Sequence, residues 1–178
     1  MTSIIKVDQI QTAAGAAPTV TDLGVTVPSA SVPTLSTGHM PTGSVLQVVN
    51  SYSTSQLELS STTLVTLNTL SVTPVATGSR FAIQFFLYGN WGNTNHGFGA
   101  YMHRDGSEVA RSGNSHSIYT NTLSDAYLGG AWSSIDETGS TAGTAISFQL
   151  KVIPYKSTQI RFSGGGQSRG FIITEIAG

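Results

Sequence analysis

From Gly43 to the C-terminus the chain is a succession of short β-patterned runs closed by Gly, Pro, Asn or Ser. No helical period of 3.6 persists over a useful length. The runs are Val45–Val49, Leu57–Leu59, Leu64–Leu67 leading to Leu70–Pro74, Phe81–Tyr88, Gly99–His103, Glu108–Arg111, Ala126–Trp132, Ala145–Ile153, Gln159–Phe162 and Phe171–Ile176. They are rich in Val, Ile, Thr, Phe and Tyr, which suit a pleated, half-buried surface. The Phe81–Tyr88 run is apolar at nearly every position, so the expectation is burial on both faces. Arg104-Asp105-Gly106-Ser107 reads as a hairpin turn, because an Asp-Gly pair tolerates the positive φ that such turns need. Eight to ten short strands in about 135 residues predict an antiparallel β-sandwich. A jelly-roll-like sandwich is the first choice and an immunoglobulin-like one the second. Heptads, Gly-X-Y triplets and internal repeats are missing, so no long fibrous shaft is encoded.

Residues 1–42 have a different character. They hold four of the six prolines, Pro18, Pro28, Pro33 and Pro41, and their only charges are Lys6, Asp8 and Asp22. Such a segment has too little apolar mass to offset its own ordering entropy. It reads as an extended N-terminal arm, with the sandwich domain spanning 43–178. Ile4, Ile5, Val7 and Ile10 are the arm's natural anchors. An extended strand can add to a neighbour by backbone hydrogen bonds while such side chains fill pockets.

Composition narrows the function. Charged residues are 10% of the chain and the formal net charge is −1, where an ordinary soluble domain has about 25% charged residues. Ser, Thr, Gly and Asn take their place, which suits packing against other subunits and suggests a homo-oligomer, with a homotrimer expected. No cluster of Lys and Arg exists to displace counterions from phosphates, so nucleic acid is not expected as a partner. No run approaches the ~18 apolar residues of a membrane span. The absence of cysteine rules out disulfides and thiolate metal sites. The opening Met1–Gln11 lacks the charged-then-apolar pattern of a secretory signal, so synthesis in a host cytoplasm and release by lysis is the expectation.

Reactive constellations have simpler readings. His39, His96, His103 and His116 match no metal-ligand spacing and read as surface or loop histidines. His103-Arg104-Asp105 repeats three letters of a kinase catalytic loop without the rest of a kinase. Gly164–Gly170 is glycine-rich but lacks the lysine and following helix of a phosphate-binding loop. Asp136 and Glu137 are adjacent carboxylates in an apparent turn, not a pair spaced across a cleft. Trp91 lies in the run Asn90–Gly97, which reads as a loop. It is the one candidate glycan contact, with a Trp capping the sandwich edge as the alternative. No enzyme, metal or cofactor is expected.

Both ends resemble a known group. Thr2–Gly15, with Lys6-Val7-Asp8-Gln9-Ile10-Gln11 at its centre, resembles the opening of structural proteins of tailed phages that infect marine bacteria and cyanobacteria. The Pro/Thr-rich spacer, Gly43–Val49, Leu64–Pro74, Ser79–Ile83 and the ending Phe171–Gly178 are similar to the segments that follow in that group. Residues 88–142 resemble nothing in it. The resemblance implies a non-enzymatic virion surface protein: a capsid decoration protein or short head fibre, attached by the arm to the major capsid protein or to a tail or neck protein. A tail fibre or receptor-binding protein recognising host-surface glycans, or a carbohydrate-binding module, is the alternative.

Overall fold

The computed structural model describes residues 40–91, 96–113, 118–121, 126–156, 159–162 and 168–178. Among them lie eleven strands and no helix: β1 Val45–Ser53, β2 Leu57–Leu59, β3 Val65–Val72, β4 Arg80–Trp91, β5 His96–Arg104, β6 Ser107–Arg111, β7 Ile118–Thr120, β8 Ala126–Asp136, β9 Ile146–Pro154, β10 Ile160–Phe162 and β11 Arg169–Ile176. The arm, including Ile4, Ile5, Val7 and Ile10, lies outside the described residues.

All pairings are antiparallel and form two sheets. In the front sheet, β4 pairs with β8 along one edge and with β11 and then β10 along the other; β1 adds to β11 and β2 to β10. In the back sheet the order is β3-β9-β5, and β6 and β7 share the far edge of β5. β6 and β7 both lie against β5, and β10 and β11 both against β4, so each pair is one strand interrupted partway; β1 and β2, paired with β11 and β10, are interrupted at the same level. Counting them so leaves eight strand positions, ordered 1-8-3-6 in front and 2-7-4-5 behind. That is the double Greek key of a jelly roll.

Alternation builds the core. Phe81, Ile83, Phe85 and Leu87 of β4 point inward against Phe98, Ala100 and Met102 of β5, Phe148, Leu150 and Val152 of β9, and Phe171 and Ile173 of β11. Phe81 meets Phe148 edge-on with ring centroids 5.4 Å apart, and Phe98 meets Phe162 at 5.2 Å. Each such buried side chain contributes about 1.5–3 kcal/mol. The β5–β6 hairpin turns at Asp105 and Gly106 with φ of 48° and 88°, the positive pair expected of an Asp-Gly turn. Asp105 then docks on β9: its amide donates to the Ser147 carbonyl, and its Oδ1 accepts from the Ser147 amide at 2.8 Å.

The domain begins and ends at one place. The Gly43 amide donates to the Ala177 carbonyl and the Ala177 amide to the Ser44 carbonyl, each at 2.9 Å.

Some elements depart from the sequence reading. β4 continues through Asn90 and Trp91, and β5 starts at His96, so the expected Asn90–Gly97 loop is strand at both ends. β7, Ile118–Thr120, is a further strand beyond the runs. Asp136 is the last residue of β8 rather than part of a turn. The two-sided burial expected for Phe81–Tyr88 is half met. Inward positions are fully covered, whereas Ala82, Phe86 and Tyr88 are half-buried and Gln84 is exposed.

Candidate functional site

The two outer faces of the sandwich differ in chemistry. Outward positions of the back sheet carry Thr69, Ser71, Ser147, Gln149, Lys151, Glu108 and Arg111. Arg111 bridges Glu108 at 2.5 Å and lies 6.0 Å from the Tyr101 ring centroid. This face mixes those charges with exposed aromatic rings, Tyr119 at 44% and Tyr155 at 39%, which meet edge-on at 5.2 Å.

The front sheet's outer face is built from three successive rungs. Across the strands they read Val48–Thr174–Ala82–Ile135, then Asn50–Ile172–Gln84–Ser133, then Tyr52–Gly170–Phe86–Ala131. Tyr88 continues it beside Gly129. Every polar group in the rungs is an uncharged amide or hydroxyl. Val48 is 58%, Tyr52 69% and Ile135 57% exposed, values that large apolar side chains rarely reach together on one face. Charges appear only toward its ends, already paired within the chain: Arg80 with Glu137 at 4.0 Å, and Arg161 with Glu58 at 2.8 Å.

Small residues keep this face flat. On β8 the outward sequence is Gly129, Ala131, Ser133. A Cβ on Gly129 would sit 2.4 Å from the Tyr88 ring, so the glycine is where that ring lies down on the sheet. Two open depressions of about 480 and 340 Å³ lie along β4, β8 and β11, with Gln84 and Ser133 common to both. They are too shallow to enclose a small ligand, which needs most of its surface buried.

The buried charged groups are engaged in holding the sandwich end. Glu175 is fully buried. Its carboxylate accepts from Ser79 Oγ at 2.6 Å, Gln47 Nε2 at 2.5 Å, and the amides of Val75 and Ala76 at 2.9 and 3.1 Å. Burial pushes its pKa up, but those hydrogen bonds outweigh burial and hold it below the ordinary value. Asp136 accepts from Arg104 Nη1 at 2.8 Å and from the Thr138 amide at 3.0 Å. Arg104 also donates to the carbonyls of Thr138 and Gly139, joining β5 of the back sheet to the end of β8 in front. Glu137, next in sequence, points to solvent opposite Arg80, so the two carboxylates do not work as a pair.

The remaining sequence candidates fall elsewhere. Trp91 is 1% exposed and packs against His96 and Phe98, with centroids 5.7 and 6.2 Å away. Its ring offers no face to a sugar, because it points inward as the last alternating residue of β4. It belongs to the hydrophobic core. His96 and His103 are buried in β5, not on a surface or loop, and His103 Nδ1 lies 2.9 Å from the Gly106 carbonyl. His39, His116 and Gly164–Gln167 lie outside the described residues. No group of three metal-ligating side chains occurs among the described residues. The outer face itself escapes a reading by runs alone. Its signal is the apolar character of alternate positions Val48, Phe86, Ile135 and Ile172, visible only when the register places them side by side. No protein-family model matches the chain, and no curated protein matches it significantly.

Proposed function

We propose that the chain is a non-enzymatic structural protein of a bacteriophage virion, a homotrimeric surface module of the capsid-decoration or short head-fibre kind. The observation that carries this reading is the broad, uncharged, apolar outer face on a rigid jelly roll. Such a face serves assembly and not turnover, since obligate interfaces resemble a core cut in half. The phage-like opening Lys6–Gln11 supports the virion setting. In this reading residues 1–42 hold the module to the major capsid protein or to a tail or neck protein. Ile4, Ile5, Val7 and Ile10 are the anchors, each giving about 1.5–3 kcal/mol when buried. Trp91, buried in the core, lends no support to a glycan-binding reading.

The test is attachment. Particles from which the protein is missing are mixed with full-length wild type or with an Ile5→Asp/Val7→Asp variant, and occupancy is measured by quantitative mass spectrometry. Wild type is expected to bind in stoichiometric amounts. The variant is expected to lose at least about tenfold in occupancy with an unchanged melting temperature, because burying a charge in an apolar pocket is costly. Equal occupancy would remove the arm as anchor, and failure of wild type to bind any particle would remove the virion reading.

A further inference from the structure

We infer that the outer face of the front sheet is the surface through which copies of this chain join one another. The inference rests on the homo-oligomeric part of the proposed function and names the surface that part requires.

The occupant follows from the chemistry of the face. Between the Arg80–Glu137 and Glu58–Arg161 pairs no outward position is charged. Nothing there attracts a nucleic acid, an anionic membrane or an acidic peptide. An uncharged face bearing both donors and acceptors, at Asn50, Gln84, Ser133 and Thr174, is complementary to itself. Its polar middle rung, Asn50, Gln84 and Ser133, lies between rungs that carry apolar and aromatic groups, Val48 and Ile135 on one side and Tyr52 and Phe86 on the other. Four strands spaced ~4.8 Å, over about eight residues each rising ~3.3 Å, cover roughly 500 Å². Three copies that turn this face toward a shared axis bury about 1,500 Å² between them, above the ~1,000 Å² at which specific interfaces begin.

The most exposed apolar groups lie on the two flanks, Val48 and Tyr52 on β1 and Ile135 on β8. A copy can therefore be met from both sides, as closure into a ring requires. The half-met burial of β4 has its explanation here: the outward residues Ala82, Phe86 and Tyr88 are covered by a neighbour.

The test is sedimentation of the full chain at micromolar concentration, beside Val48→Lys, Phe86→Lys and Ile135→Lys, with Gln149→Lys on the back sheet as control. Wild type and the control are expected at about three times 18.6 kDa. The front-face variants are expected near the single-copy mass, still melting cooperatively but at a lower temperature than the assembled control. A monomeric wild type, or front-face variants that stay assembled, would overturn the inference. A wild-type dimer split by the same variants would keep the surface and remove the trimer. None of these results depends on particle binding, so the virion reading stands or falls separately. Ser133→Cys adds a readout that needs no disruptive change, because the chain has no other thiol. Protection from a maleimide in wild type, lost in the Val48→Lys background, is the expected result. Protection that persists in a monomeric Val48→Lys background would mean that residues 1–42 cover the face, and would also overturn it.

Discussion

Glu175 carries a charge where water does not reach it, and the reason lies about a hundred residues away in sequence. The segment after β3 turns its Val75 and Ala76 amides and the Ser79 hydroxyl toward the carboxylate, while Gln47 closes the set. Nothing near Glu175 in sequence announces this. In Phe171–Ile176 it reads as one more polar position in an alternating strand, because its partners come together only through the fold. The same holds for the Arg104–Asp136 bridge, whose members read as a turn residue and half of a solvent-facing acidic pair. The consequence is testable by pH. A carboxylate with a depressed folded pKa stabilises fully above its unfolded value. That contribution is lost as pH falls through the folded value. The ordinary value is 4.5. Melting temperature is therefore expected to be flat above pH 5 and to fall below about 4.5, and Glu175→Gln should flatten that acid limb. Glu175→Ala is expected to cost about 2–3 kcal/mol at neutral pH by leaving buried donors unmade, or roughly 5–10 °C in calorimetry.

Strands were largely legible as elements, and their limits much less so. Eleven runs picked out by β-rich composition and turn punctuation correspond to ten of the eleven strands described, with Leu64–Leu67 and Leu70–Pro74 merging into β3. β7 matched none of the runs. Trp91 was misplaced because Gly, Asn and His around it suggest a loop, while alternation along β4 carries it inward as a sixth core position. The two-sided apolar character of β4 was visible, but not which side the chain itself would cover. That depends on the crossover that lays β5 and β9 over one face only. The flatness of the other face rests on small residues of β8. Gly129→Val would push a Cβ against the Tyr88 ring and the Leu87 carbonyl, 2.4 and 2.7 Å away. The ring can swing but the carbonyl cannot. A loss of about 1–3 kcal/mol is expected by denaturant unfolding. Gly139→Ala, where a Cβ meets nothing within 4 Å, should be near neutral.

The domain from Gly43 to Gly178 is two sheets of unlike outer chemistry around one aromatic core, with its entry and exit hydrogen-bonded to each other at Gly43–Ser44 and Ala177. The turns at Asp105–Gly106 and 73–79 belong to that same end, through the Asp105–Ser147 and Glu175 contacts. The turn Ser60–Leu64 between β2 and β3 is at the other, level with the end of β4 at Trp91. The twelve residues of β4 run from one end to the other, about 40 Å. The chain from Gly43 to Gly178 is thus close to a closed circle with its seam at one pole. A circular permutant that joins Gly178 to Gly43 through a short glycine linker and reopens at Thr62 should fold, with a melting temperature lowered by only a few degrees. A foreign peptide spliced in at Thr62 would stand at the pole opposite the seam, making the domain a scaffold that holds a fused partner at one pole and presents a peptide at the other.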